Sequence, residues 1–404
     1  MSPGAFAIDY HQLMYFTPRQ NDGSTICTAS MTLLSTPAGI AQFVLWGGFV
    51  LGLVFGAVGQ WSRFCVRGAI ADLVVFGGKS RLIAWVLAVA VAAIGTQLLV
   101  SLNLFDAARS LAWSNRLAWA SCLVGGVIFG YGMVLAGGCP QRCLVKTGAG
   151  DLKALVTLIV TAIAALMTLR GLFAPLRVDA LDAWSVTLAT PQDFGSLAAS
   201  LGVPASIVRW VLVALIVAVA GTLWWRNRTT LDKGHWIAAI AIGLLVPAAW
   251  LVTGHWGFIA EHPETLEPAW LGTQSRRPEG LSFVAPMGQG LDLLTLWSDK
   301  NTTASFGVTA AMGVLVGSFI MAKLRRDFRL ESFQNNPTLV SHLAGGLMMG
   351  FGGVTALGCT IGQGLTGLAM LSAGSVLAVL GIVTGAVAAL HFAAKRLDKE
   401  ELAS

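Results

Sequence analysis

Charge is what this chain of 404 residues has least of: Asp, Glu, Lys and Arg make up 11% of it, against about 25% in a soluble globular domain. So few charges cannot cover a water-facing surface, which excludes a soluble enzyme and a nucleic-acid reader. Six Cys are too few and too scattered for a disulfide scaffold. The six His (His11, His235, His255, His262, His342 and His391) are dispersed along the chain, whereas a metal carrier wants clustered His, Met or carboxylate ligands. The phosphate-cradling pattern G-x-x-x-x-G-K-S/T is missing, so ATP hydrolysis by this chain is not expected and no cofactor is implied. Residues 1–40 lack a basic stretch followed by an apolar one, so a cleaved signal peptide is not expected.

What the chain does have is apolar length, with 55% hydrophobic residues and a mean hydropathy of +0.72. A membrane span needs about 20 consecutive apolar residues, and nine runs qualify: 41–59, 82–105, 117–138, 153–172, 207–225, 235–259, 304–323, 338–358 and 374–394. Four further pieces, 62–77, 139–149, 282–297 and 359–371, are too short, too Gly-rich or too polar to cross. They read as re-entrant half-helices, tolerated at membrane depth only where protein or a cavity covers them. The expected fold is an all-α polytopic membrane protein in the lipid bilayer.

Nine crossings put the termini on opposite faces. One face collects fourteen Lys and Arg in clusters, among them Lys146, Lys153, Lys323, Arg325, Arg326, Arg329, Lys395 and Arg396. The other has nine, and also the two longest loops. The excess of basic residues predicts a cytoplasmic C-terminus and an external N-terminus.

A shift of 220 residues lays SCLVGGVIFGYGMVLAGGC, ending at Cys139, on SHLAGGLMMGFGGVTALGC, ending at Cys359, with ten of nineteen positions identical. Beyond it AGDLKALVTLIVTAIAAL falls on AGSVLAVLGIVTGAVAAL. This is a duplicated unit. Four spans in each copy and one between them make the copies inverted repeats, with a site expected near the midplane at their interface. The implied organisation is an external extension (1–40), repeat A (41–172), an external loop with the linking span (173–234), repeat B (235–394) and a cytoplasmic tail (395–404).

The shared Gly spacing reads as close helix packing, and Cys27 and Cys122 as small buried hydrophobes. Cys139 and Cys359 need another account. Each ends a span and opens a short segment, CPQRCLVKTG or CTIGQGLTGL, so each stands at a half-helix N-terminus, where free N–H groups and the positive dipole end favour an anion. A weaker match carries Ser62, Gly68, Asp72 and Leu73 onto Ser282, Gly288, Asp292 and Leu293. It places Cys65 opposite Ala285, so three corners of the duplicated arrangement carry a thiol and the fourth does not. Arg63 and Arg67 flank Cys65, and Arg142 and Lys146 follow Cys139. Basic residues at this depth either serve an ion's passage or snorkel to the interface.

At SRFC around Cys65, AGGC at Cys139 and GCTIGQGLTGLAMLS at Cys359, the chain resembles the YeeE/YedE family of membrane proteins over nearly all of residues 41–394. The resemblance implies nine spans with short helices between them, and uptake of thiosulfate or a related reduced sulfur species across a bacterial inner membrane. It also implies a narrow central path in which Cys65, Cys139 and Cys359 contact the ion in turn. Arg63, Gln141, Arg142, Thr360 and Gln363 then become candidate contacts for its oxygens, and a cytoplasmic sulfur-carrier protein a candidate partner. The chain departs from the simplest family pattern in its N-terminal extension, its long external loops and Cys143. Two other readings stand beside this one. A Cys persulfide could hand sulfur to a carrier, or Cys139 and Cys143 could form the redox pair of a thiol-disulfide oxidoreductase, although a spacing of three and the lack of a second close pair count against the latter.

Overall fold

The computed structural model describes residues 36–228, 232–262, 265–299, 302–333 and 335–403. Cys27 and most of the expected N-terminal extension lie outside the described residues. The principal helices in chain order are α1 (Pro37–Ser62), α2 (Val66–Ala71), α3 (Ser80–Ser101), α4 (Trp119–Leu135), α5 (Pro140–Gly148) and α6 (Leu152–Leu169). After a long connection come α7 (Ala205–Asn227), α8 (Lys233–Trp250), α9 (Ala285–Thr295), α10 (Phe306–Leu324) and α11 (Asn336–Thr355). A π-helical turn (Gly362–Gly367) and α12 (Ala373–Ala403) complete the chain.

Among the described residues, eight helical segments are long and apolar enough to cross a membrane. The protein is thus an all-α polytopic membrane protein. Helix α11 has the length of a span, 20 residues, but its Asn, His, Ser, Thr and Gly content makes it less apolar. It packs on both α4 and α6, which bury its glycine-rich second half, and it leaves Val340, Leu343 and Leu347 exposed. The four pieces read as too short to cross are α2, α5, α9 and the 362–367 turn, each of eleven residues or fewer.

Contacts between helices come in matched pairs when the elements of repeat A are set against those of repeat B in chain order. Helix α1 packs on α10, as α8 packs on α3. Helix α4 packs on α12, as α11 packs on α6; α9 packs on α6, as α2 packs on α12. Short helix α5 lies against α10, as the 362–367 turn lies against α3. Small residues allow this closeness. A Cβ on Gly125 of α4 would stand 2.7 Å from the amide nitrogen of Ala356, and one on Gly345 of α11 would stand 2.7 Å from that of Ala136.

Helix α7 has no counterpart in this scheme. It rests mainly on α3 and leaves Ile207, Val211, Leu215 and Trp225 exposed, the surface of a helix facing lipid. The long loops on one face are tied by two small antiparallel pairs, Arg116–Leu117 with Val186–Thr187 and Phe258–Ile259 with Ala269–Trp270. Asp193, fully buried, pins the connection before α7 by accepting from Arg209 at 3.0 Å and from the Ser196 amide.

Candidate functional site

Three long helices stop short of a full continuation, and each stop is built the same way. Helix α1 ends before Arg63 (φ 54), α4 before Gly137 (φ 70) and α11 before Leu357 (φ 58). A left-handed residue just past a helix end turns the chain out of the helix. Gly adopts this conformation freely, but Arg63 and Leu357 do so at a cost of about 1–2 kcal/mol each. Two residues further on stands a Cys in every case. The backbone is extended at Cys65 (φ −157, ψ 120) and Cys139 (φ −75, ψ 165), which are the N-caps of α2 and α5. Cys359 plays the same part for the helical turn that follows, its carbonyl accepting from the Gln363 amide at 2.8 Å.

The thiols are held by the helix ends they cap. The Cys65 sulfur accepts from the Gly68 amide at 3.4 Å, and the Cys359 sulfur from the Gly362 amide at 3.4 Å. Because the sulfur serves as acceptor there, its hydrogen stays available to a visitor. Pro140 occupies the first turn after Cys139, where no amide hydrogen is needed. The Cys139 thiol instead makes a long bond of 3.8 Å to Gln141 Oε1. Cys139 and Cys359 are completely buried and Cys65 partly so. Cys65 and Cys359 both lie within electrostatic reach of Cys139, and the Thr360 side chain faces it.

Two buried polar atoms beside these thiols lack a geometrically formed hydrogen bond: Thr360 Oγ1 and Gln141 Nε2. Both residues are at most 2% exposed, and an unsatisfied buried group costs about 1–3 kcal/mol. Gln363 differs, because its Nε2 donates to the Ala356 carbonyl at 2.8 Å and its Oε1 accepts from Ser375 at 2.6 Å. Its amide thus braces the turn after Cys359 and keeps one N–H donor. Arg142 donates to the Gly59 carbonyl at 3.3 Å, tying α5 to α1. Arg63 is exposed in the turn before Cys65.

A cavity of about 300 Å³ opens on the face of the long loops, with Arg116, Arg177, Glu279, Ser282, Gln289 and Gln363 among its lining residues. Its walls reach Gly358 and Gly362, the neighbours of Cys359. The Glu279 carboxylate accepts from the Ser275 amide and hydroxyl, each at 2.9 Å, and burial pushes its pKa above the ordinary carboxylate range. Cys122 is also in the cavity wall, packed close to Gly374 and apart from the three N-cap thiols. Sequence reasoning passed over this cavity because loops distant in the chain build it; its one local signal was the pair of basic residues, Arg116 and Arg177, in otherwise apolar surroundings.

The family model for sulphur transport matches residues 61–388, which include Cys65, Cys139 and Cys359 and the turns before them. The chain belongs to the sulphur transport family. Two proteins named thiosulfate transporter TsuA are similar to it. The one from Escherichia coli is 28% identical over 84% of this chain and 93% of that protein, and the one from Spirochaeta thermophila is 27% identical over 85% and 97%. A probable transporter YedE of Salmonella typhimurium is 33% identical over a shorter stretch, 25% of this chain and 24% of that protein. Membership of the sulphur transport family, with relatives named as transporters, gives this membrane protein a transport role and not an enzymatic one.

Proposed function

We propose that the protein takes up thiosulfate, or a closely related reduced sulfur oxyanion, along a central path on which Cys65, Cys139 and Cys359 contact the ion in turn. The observation that carries this reading is the repeated device of a left-handed stop, a Cys two residues on and a new helical turn, with Thr360 and Gln141 buried beside Cys139. The full-length similarity to proteins named thiosulfate transporters supports the choice of ion.

Thiosulfate has a soft terminal sulfur and three hard oxygens. A neutral thiol is a weak donor and can offer its hydrogen to the soft atom without trapping the ion. Passage needs sites that are favourable yet shallow and arranged in sequence. The N-termini of α2 and α5 add positive potential without a mobile countercharge, and Thr360 and Gln141 are placed to bond the oxygens. A thiolate would repel a dianion, so the thiols stay protonated during passage. We assign repeats A (41–172) and B (235–394) opposite orientations, a reading supported by the matched helix contacts. The loop-side cavity is then the external entrance, with the C-terminus in the cytoplasm of a cell whose inner membrane holds the protein.

Growth tests the substrate. A bacterial host unable to import sulfur anions, expressing this chain, is expected to grow on thiosulfate as sole sulfur source and not on sulfate. Growth on sulfate or selenite with none on thiosulfate would overturn the assignment.

A further inference from the structure

Beside Gly137, in the turn that leads to Cys139, the side chains of two different helices converge, and a third helix places a cation within electrostatic reach. Lys146 comes from α5, Arg67 from α2 and His342 from α11. A point one Cβ bond from Gly137 lies 3.9 Å from His342 Cε1 and 4.0 Å from Lys146 Nζ. Lys146 donates to the Gly137 carbonyl at 3.4 Å, in the turn that leads to Cys139. His342 Nδ1 is paired with Thr157 Oγ1 at 2.9 Å, and the ring edge packs on Phe333, which fixes its orientation. Arg67, Lys146, Lys153 and Asp151 all lie within electrostatic reach of His342.

The charges there do not balance. Lys153 is neutralised by Glu331 at 3.2 Å. Asp151 stands 3.9 Å from Lys146, and its other oxygen caps α6 through the Lys153 and Ala154 amides. Among the described residues Arg67 has no ion pair with a carboxylate, and its Nε is buried with no hydrogen-bond partner. An uncompensated cation at such a place is expensive unless it serves an ion. Cys143 sits three residues before Lys146 on α5, buried, its thiol turned to the Gly138 carbonyl at 3.6 Å. It joins the cluster to the thiols above.

We infer that Arg67, Lys146 and His342 form a second oxyanion site, at the inner mouth of the path, which receives the substrate after the thiols and from which it leaves. This rests on the reading of the chain as a thiosulfate carrier. The thiols address the soft sulfur, and the inner site addresses the oxygens with charge and N–H donors. An anionic lipid headgroup shares the phosphate-like chemistry of this ligand, but the buried Nε of Arg67 and a Lys146 only one-third exposed point to an ion arriving from within.

The test uses the full chain in proteoliposomes of neutral phosphatidylcholine, with the two orientations separated by a tag on the C-terminus. Half-saturation of thiosulfate exchange is measured from each side. The double variant Arg67→Gln, Lys146→Gln is expected to raise the inner half-saturation about tenfold, the loss of one charge-assisted hydrogen bond, and to leave the outer value nearly unchanged. His342→Gln alone gives a smaller inner shift, and serves if the double variant does not insert. Equal shifts on both sides, no shift on either, or a shift seen only when anionic lipid is added would overturn the site. A wild-type chain that exchanges no thiosulfate from either side removes the transport reading itself, and the inner site falls with it.

Discussion

Cys139→Ala is expected to lower thiosulfate uptake by tenfold or more while the protein still inserts. The reasoning starts from the thiol's place: fully buried, at the first turn of α5, with Thr360 facing it and Gln141 bonded to it. Ala keeps the volume nearly constant and removes the donor, so the ion meets a buried step with nothing to hold its sulfur. Losing such a contact costs about 1–3 kcal/mol, roughly ten- to a hundredfold in rate or occupancy. Cys65→Ala and Cys359→Ala are expected to behave alike, because each Cys stands two residues past a left-handed stop and opens a new helical turn. Cys122→Ala is the control: it is in the cavity wall yet packs among Ala356, Ala378 and Leu377, and uptake should stay near wild type. Uptake of radiolabelled thiosulfate at matched expression measures all four. If Cys143→Ala were as damaging as Cys139→Ala while Cys359→Ala did nothing, a redox pair would replace the account.

Gly125→Leu should prevent the protein from assembling. A Cβ there would already stand 2.7 Å from the Ala356 nitrogen and 2.9 Å from the Gly352 oxygen, and backbone cannot step aside as a flexible side chain can. Overpacking costs about 1–3 kcal/mol even in cores that relax, and here the added branch would force α4 and α11 apart. Those helices carry Cys139 and Cys359 at their ends. The yield of monodisperse detergent-solubilised protein should fall several-fold. Gly221→Leu on lipid-facing α7, where an added Cβ meets nothing within 4 Å, should change it little. Equal yields for the two variants would mean that the central contact is not tight.

The long helices and the four short pieces were legible because apolar length and its interruption are local properties of a sequence. The equivalence of Cys139 and Cys359 was legible because the chain repeats itself. The left-handed stops were only half visible: Gly137 announces one, but Arg63 and Leu357 hold the same conformation without the residue that usually marks it. Gln363 looked like a ligand for the ion's oxygens. Its amide is also braced by Ala356 and Ser375, and Ser375 lies twelve positions away on the next helix, a pairing that only folding discloses. The loop cavity was equally hidden, since its walls come from segments near 111–118, 169–192 and 274–289. In the sequence Arg67 and Lys146 read equally as snorkelling side chains; that Lys146 stands 3.9 Å from Asp151 and that the Arg67 Nε is buried without a partner are facts of the fold alone.

The account's central claim is that the thiols hand the ion on by hydrogen bonding and form no bond to its sulfur. The most direct measurement is the intact mass of each thiol-bearing peptide after wild-type protein has been saturated with thiosulfate, set beside uptake by Cys359→Ser. Hydrogen-bond passage predicts no added sulfur, about 32 daltons, on Cys65, Cys139 or Cys359. It also predicts residual uptake by Cys359→Ser above that of Cys359→Ala, because the hydroxyl remains a donor although a harder one. A persulfide on any of the three, together with a Ser variant as inactive as Ala, would contradict the account and establish covalent sulfur transfer in its place.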